Sequence, residues 1–213
     1  MRLPFTRPAC RAPPSHVASV AGMSTEVVIA PIGGVGQMLG GIFLGPAAFD
    51  PLAGYPPAAF DPPAFGFDPA LDDDAPVYAG TVPGALSGTP VELFCLDIRT
   101  ATAEGLGYAA RRWRSTGVAH LGAAGRVVAS TGQHRDTPQG AAATQLAVWF
   151  FTDNVVVAPT SPLYPLVEDI VSAVLAKGPL CEPRRRGAGT VLHYRPTDPW
   201  HPVPARAQTL MLA

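Results

Sequence analysis

The sequence predicts an α+β fold: a short-stranded β-sandwich or barrel with inserted helices, preceded by a disordered, Pro/Gly-rich N-terminal third. The 213 residues include 25 prolines and 22 glycines. This content favours long irregular stretches, because proline fixes its own backbone and lacks an amide hydrogen. By contrast, residues 91–98 form an apolar run without glycine or proline, which is typical of a strand. Apolar residues recur at helical spacing within residues 141–151 and 167–175, which predicts two helices.

The N-terminal third, residues 1–76, is predicted to be disordered or of low complexity. The phrase Phe-Asp-Pro occurs three times between residues 49 and 69 at irregular spacing, and three aspartates follow it. Asp-Pro pairs favour turns and disfavour helix. We therefore expect the folded domain to occupy residues 77–213.

An uncharged segment, residues 27–49, raises the question of export. It is long enough to cross a bilayer, but six glycines and two prolines interrupt it. A secretory signal needs an uninterrupted apolar run after its basic residues. Two interpretations therefore stay open: an export or anchor segment, and a flexible apolar segment.

The predicted elements of the domain follow in chain order. Alternation along residues 91–98 gives two apolar faces and hence an internal strand; the faces are Val91, Leu93 and Cys95, and Phe94, Leu96 and Ile98. Glycines then divide residues 105–125 into short strands and turns, and residues 126–130 form a short helix or strand. The helix over residues 141–151 has one face that carries Gln145, Val148, Trp149 and Thr152. The second helix begins near Pro165 and ends at Lys177, and short closing strands are expected at residues 190–192 and 209–212.

The overall charge excludes a strongly basic binding surface. The formal net charge is −1, and charged residues make up 15% of the chain. Such a chain has no basic field for nucleic acid or an anionic membrane. Short arginine clusters at residues 111–114 and 184–186 are interpreted as solvated loops. No cofactor is predicted, and a zinc site is disfavoured because the short Cys-x-x-Cys and His-x-His spacings are missing.

Two polar residues in apolar elements, Cys95 and Gln145, carry the chemical signal. Burying a primary amide without partners costs about 1–3 kcal/mol, so the amide must be satisfied or consumed. A buried thiol and a buried carboxamide can condense with loss of ammonia into an internal thioester, in which the sulfur is the nucleophile. Asp97, two residues after Cys95 on the same face of the predicted strand, is a candidate proton acceptor, and Thr144 is a candidate for orienting one reacting group.

Water must be kept from a reactive acyl group once it has formed. The aromatic side chains of Phe94 and Trp149 are candidates for this role and for binding at the site. Cys95 must also stay out of a disulfide. The three cysteines allow a Cys95–Cys181 pair in an oxidising compartment, so this pairing remains an alternative.

Residues 144–149, Thr-Gln-Leu-Ala-Val-Trp, match the complete Thr-Gln-x-Ala-(Ile/Val)-Trp pattern of a known family. Together with Phe-Cys-Leu-Asp at residues 94–97, they make the chain resemble the thioester domains of Gram-positive bacterial surface proteins. The resemblance covers about residues 77–213. It implies a Cys95–Gln145 thioester that captures a nucleophile on a target surface once per molecule, so that the protein is a covalent binder and not a turnover enzyme.

The resemblance further implies that the nucleophile is an amine, typically of lysine, and that the protein acts in adhesion at the cell surface or after secretion. Unlike family members, the sequence shows neither a clean signal peptide nor a sortase-type anchor, so localisation rests on the resemblance alone. Membrane association and oligomeric state are left open.

Two other functions compete with the thioester. A cysteine hydrolase would pair Cys95 with His120, His134 or His193 as its base. A cysteine within a strand lacks the helix N-terminus that lowers the pKa of many such nucleophiles. The other alternative is a purely structural domain in which Cys95 stays reduced or joins Cys181.

Overall fold

A closed barrel of six antiparallel strands and three α-helices form the described part of the chain. The computed structural model describes residues 26–30, 34–70, 76–99, 105–183, 188–194 and 209–213. The helices are α1 (Leu121–Ser130), α2 (Pro138–Asp153) and α3 (Tyr164–Lys177). The strands are β1 (Glu26–Ile29), β2 (Gly36–Leu39), β3 (Ile42–Leu44), β4 (Asp68–Pro69), β5 (Val77–Gly80), β6 (Val82–Leu86), β7 (Thr89–Cys95), β8 (Gly107–Arg111), β9 (Val155–Val157), β10 (Val191–Tyr194) and β11 (Thr209–Leu212).

The barrel strands follow the order β1-β6-β7-β11-β10-β8, and β1 also pairs with β8 to close the ring. The interior is filled by buried apolar side chains, among them Val27, Leu93, Tyr108, Leu192 and Leu210. The prediction of an α+β fold with a barrel is therefore confirmed. The internal strand is confirmed as β7, which lies between β6 and β11, although it ends at Cys95 instead of at residue 98.

Helix α2 is the centre of a second core, outside the barrel. Every residue from Gly140 to Phe151 is buried, because α1, α3, β2, β5, β7 and β9 all pack against this helix. The Thr137 hydroxyl accepts a hydrogen bond from the Gly140 N–H at 3.1 Å and so caps the first turn. At the other end, Asn154 adopts the left-handed conformation that commonly terminates helices. The helix predicted over residues 141–151 is confirmed and is longer at both ends.

The other two helices cover α2. Helix α3 confirms the prediction from its apolar stripe and ends at Gly178. Helix α1 corrects the expectation of short strands and turns, since residues 121–125 are helical. Its glycines mark close packing: a Cβ on Gly122 would lie 2.6 Å from the backbone oxygen of Leu180.

The expectation of a disordered N-terminal third is wrong for residues 26–30 and 34–70. Strand β1 is part of the barrel, β2 pairs with β5, and β3 pairs with β9. These partners are distant in sequence, so local composition does not reveal them. Residues 1–25 and 71–75 lie outside the described part of the chain.

The uncharged segment at residues 27–49 contributes β1, β2 and β3 where it is described. These strands pair with β5, β6, β8 and β9, so the segment is built into the folded body. Among the described residues, every helix is too short or too polar to span a bilayer.

The three Phe-Asp-Pro phrases belong to an aromatic strap, which we define as residues 46–70. The Phe67 ring packs edge-on against Phe49 and Phe60, each with a centroid distance of 5.1 Å. Phe49 in turn contacts Phe150 of α2 at 5.9 Å. The phenylalanines therefore dock this segment on the helical core, and the last Asp-Pro pair forms β4 alongside β3.

Candidate functional site

The structure brings Cys95 and Gln145 into direct contact. The Cys95 backbone N–H donates to Gln145 Oε1 at 3.0 Å, and Gln145 Nε2 donates to the Cys95 carbonyl oxygen at 2.8 Å. The Gln145 carboxamide is therefore held against the backbone of Cys95, the residue that carries the sulfur. The predicted pair meets where the end of β7 reaches the middle of α2.

The strand pairing explains why this place is open to a side chain. Leu96 N–H donates to Thr209 on β11 at 2.9 Å, so the backbone groups of Cys95 face the opposite side of β7. That side is occupied by β6 only as far as Val82, which lies opposite Leu93. Beyond this point the Gln145 carboxamide takes the place of a peptide group and completes the ladder.

The two residues differ in their access to solvent. Gln145 is 1% exposed, which confirms the expectation of a buried carboxamide. Cys95 as a whole residue is half-buried, because β7 ends there and the chain turns away. Its thiol is buried, as expected, and this burial raises its pKa.

Burial, reinforced by the negative charges of Asp97 and Asp153, raises the pKa of the Cys95 thiol from 9.0 to about 12. The resting group is thus a neutral thiol at physiological pH. A cysteine that attacks external substrates as a thiolate needs the opposite shift.

Asp97 and Asp153 approach the thiol from two different elements. Asp97 lies in the turn after β7 and accepts the Arg99 N–H at 2.8 Å. It does not lie on the strand face of Cys95, as the sequence predicted, because β7 has already ended. Asp153, at the last position of α2, accepts from the Thr152 hydroxyl at 3.0 Å and from the Ile98 N–H. Asp153 was not predicted as part of the site.

Burial raises the pKa of Asp153 from 3.8 to about 6, an increase that Asp97 reinforces and the hydrogen bonds from Thr152 and Ile98 oppose. The folded protein therefore binds this proton more tightly than the unfolded chain does. It follows that Asp153 makes the free energy of unfolding fall as the pH rises between 3.8 and about 6. Denaturant titrations across that interval should show this downward contribution in the wild type and lose it in Asp153→Asn.

The control for the pH titration is Asp169→Asn, which removes an exposed carboxylate from α3. This variant should keep the wild-type pH profile. An unchanged profile in Asp153→Asn would contradict the raised pKa.

The other predicted site residues lie close to this pair with different roles. The Thr144 hydroxyl donates to Gly140 of its own helix at 2.8 Å, so this contact does not orient Cys95 or Gln145. Phe94 and Trp149 are buried in the core around α2, with exposures of 0% and 3%. They are suited to excluding water and are too buried to form a binding surface.

Tyr78 of β5 is a further residue that sequence patterns did not reveal. Its side chain is 40% exposed, and its hydroxyl donates to the Thr81 carbonyl at 3.3 Å. Burial raises the pKa of Tyr78, and the nearby Cys95 sulfur raises it further. Tyr78 is therefore an exposed residue near the thiol, and its placement depends on the pairing of β5 with β2.

The competing functions rest on three histidines and on Cys181. His120 and His134 are exposed at the start of α1 and after its end, and the side chain of His193 is outside the description. Cys181 is disulfide-bonded whereas Cys95 carries a thiol, so the Cys95–Cys181 pair is not formed. Among the described residues, no three His, Cys, Asp or Glu side chains are grouped as metal ligands.

Comparisons with known proteins do not identify a relative of this chain. No protein-family model matches the chain. Searches of curated proteins and of solved structures likewise find no match.

Proposed function

We propose that the protein forms an internal thioester between Cys95 and Gln145 and uses it once to bond covalently to an amine on a target surface. The observation that carries this proposal is the pair of hydrogen bonds that hold the Gln145 carboxamide against the Cys95 backbone. They hold the electrophilic carbon beside the backbone of the residue that carries the nucleophile, and such positioning can supply a large part of the barrier reduction in an intramolecular condensation.

The condensation balances without any further reagent. The Cys95 sulfur bonds to the side-chain carbonyl carbon of Gln145, and the bond from that carbon to Nε2 breaks. The thiol proton passes to the departing nitrogen, and ammonia leaves. A primary amine reverses the process: its nitrogen bonds to the carbon, the carbon–sulfur bond breaks, and a proton returns to sulfur.

Several features of the site support this chemistry. The Cys95 N–H donates to the carbonyl oxygen that gains negative charge during attack, and the Cys95 carbonyl holds the nitrogen that leaves. The surroundings that raise the pKa of the thiol to about 12 penalise a charged thiolate. Neither the neutral thiol nor the neutral thioester suffers this penalty, so the thiol proton has to be transferred as the sulfur attacks.

The approach to the site also suits an amine. Cys95 is half-buried, and the carboxylates of Asp97 and Asp153 lie near its sulfur. These negative charges attract an ammonium group and can accept its proton before attack.

A purely structural glutamine is the main rival. The same two hydrogen bonds satisfy the buried carboxamide, so Gln145 has a structural use without any reaction. The rival predicts that the amide nitrogen stays in the protein.

The intact mass of the purified protein tests the proposal. We expect the wild type to weigh less than its sequence by one ammonia, because the condensation expels Nε2. Cys95→Ala and Gln145→Ala should each show the full mass of their own sequences. Added methylamine should raise the wild-type mass by one methylamine and expose the Cys95 thiol to alkylation. A wild type at full mass with an alkylatable Cys95 would sink the proposal in favour of the structural rival.

A further inference from the structure

The indole N–H of Trp149 is a buried hydrogen-bond donor that lacks an acceptor among the described residues. Trp149 is 3% exposed, and its indole Nε1–H has no hydrogen-bond acceptor among the described residues. Leaving such a donor unsatisfied costs about 1–3 kcal/mol. Phenylalanine would fill most of the same volume without this cost, so the indole nitrogen calls for an explanation.

Helix geometry relates this donor to the reacting carbonyl. Trp149 follows Gln145 by four residues on α2, so the two side chains share one face. Long side chains of a helix lean toward its N-terminus, and the indole therefore lies over the turn that carries Gln145. The Gln145 oxygen accepts one hydrogen bond, from Cys95 N–H at 3.0 Å, whereas a carbonyl oxygen can accept two.

We propose that the indole N–H of Trp149 is the second donor of an oxyanion hole whose first donor is the backbone N–H of Cys95. This inference rests on the proposed thioester. When sulfur bonds to the amide carbon, an electron pair moves onto Oε1 and the carbon becomes tetrahedral. The oxygen leaves the plane of the amide and takes up the indole hydrogen bond. The pair returns as the bond to nitrogen breaks and ammonia departs with the thiol proton.

The absence of an acceptor at rest fits such a role. A donor that is satisfied equally in the resting and transition states binds both and does not accelerate the reaction. A donor that gains its acceptor only as charge develops lowers the barrier. Removing one donor of an oxyanion hole typically slows a reaction by about 10²–10³-fold.

The test compares the variants Trp149→Phe and Trp113→Phe. Trp149→Phe removes the unsatisfied donor, whereas Trp113→Phe removes a donor that bonds to the Gly189 carbonyl at 3.1 Å. The rate of methylamine incorporation is followed by intact mass, and the free energy of unfolding by denaturant titration. We expect Trp149→Phe to react about 100-fold more slowly at unchanged or higher stability. We expect Trp113→Phe to be less stable and to react at the wild-type rate.

A second variant separates the indole N–H from its shape. Replacing Trp149 by its benzothiophene analogue exchanges N–H for sulfur with little change of volume, and this variant should be as slow as Trp149→Phe. A wild-type rate in the analogue or in Trp149→Phe overturns the oxyanion role while the thioester stands. If the wild type retains its ammonia, both the thioester and this inference fall together.

Discussion

Replacing Phe150 by alanine is expected to lower the free energy of unfolding by about 4 kcal/mol. Phe150 is fully buried in α2, and its ring lies 5.9 Å from Phe49, 5.0 Å from Tyr55 and 5.1 Å from Phe151. The substitution leaves a cavity at the point where the aromatic strap meets the helix, and it removes three ring contacts. Urea titrations of the wild type and the variant measure the loss, provided that the denaturant slope is the same in both.

The matched control for Phe150→Ala is Phe65→Ala. Phe65 also belongs to the aromatic strap, but it is 63% exposed and should change stability by no more than about 0.5 kcal/mol. In Phe150→Ala the strap should also become sensitive to protease, because local opening then needs less free energy. Equal losses in the two variants would contradict the docking of the strap through Phe150.

The second large effect is expected at Gln145 in a protein that cannot form the thioester. In a Cys95→Ala background, Gln145→Ala should lower the free energy of unfolding by about 3 kcal/mol, since it leaves two backbone groups unpaired and a cavity in α2. The groups are the N–H and C=O of residue 95, which the carboxamide bonds at 3.0 and 2.8 Å. Denaturant titrations of the single and double variants give the difference directly.

Gln145→Met in the same background separates the two contributions. Methionine keeps most of the side-chain volume but cannot replace the hydrogen bonds. The decrease in the free energy of unfolding that this variant retains therefore measures the two lost hydrogen bonds to residue 95. A double variant as stable as Cys95→Ala would show that the carboxamide does not support β7.

Local patterns in the sequence were sufficient for the elements that carry the site. The apolar run that ends at Cys95 and the stripes of α2 and α3 reflect burial against neighbours, and burial sets the spacing of apolar residues. The contact between Cys95 and Gln145 was suggested by two polar groups in apolar elements and by the resemblance of residues 144–149 to a known motif. The structure brings these two groups together.

Local sequence patterns could not predict the closure of the barrel or the docking of the aromatic strap. Strand β1 is only four residues long and pairs with β6 and β8, more than fifty positions away. The Phe-Asp-Pro phrases have the composition of a linker, and contacts that are distant in sequence, such as the ring of Phe150 and the pairing of β4 with β3, make them part of a core. Asp153 and Tyr78 reach the sulfur from separate elements, so no spacing in the sequence connects them with Cys95.

The burial of α2 has a mechanical consequence for anything that becomes bonded to Gln145. The attachment point is in the middle of a helix whose residues 140–151 are buried and which four strands and two helices enclose. Tension on the bond would be shared among these contacts instead of acting on one surface loop. Detachment would then require the helix to be drawn out of its core, so the lifetime of the link under load would follow the unfolding rate of the protein.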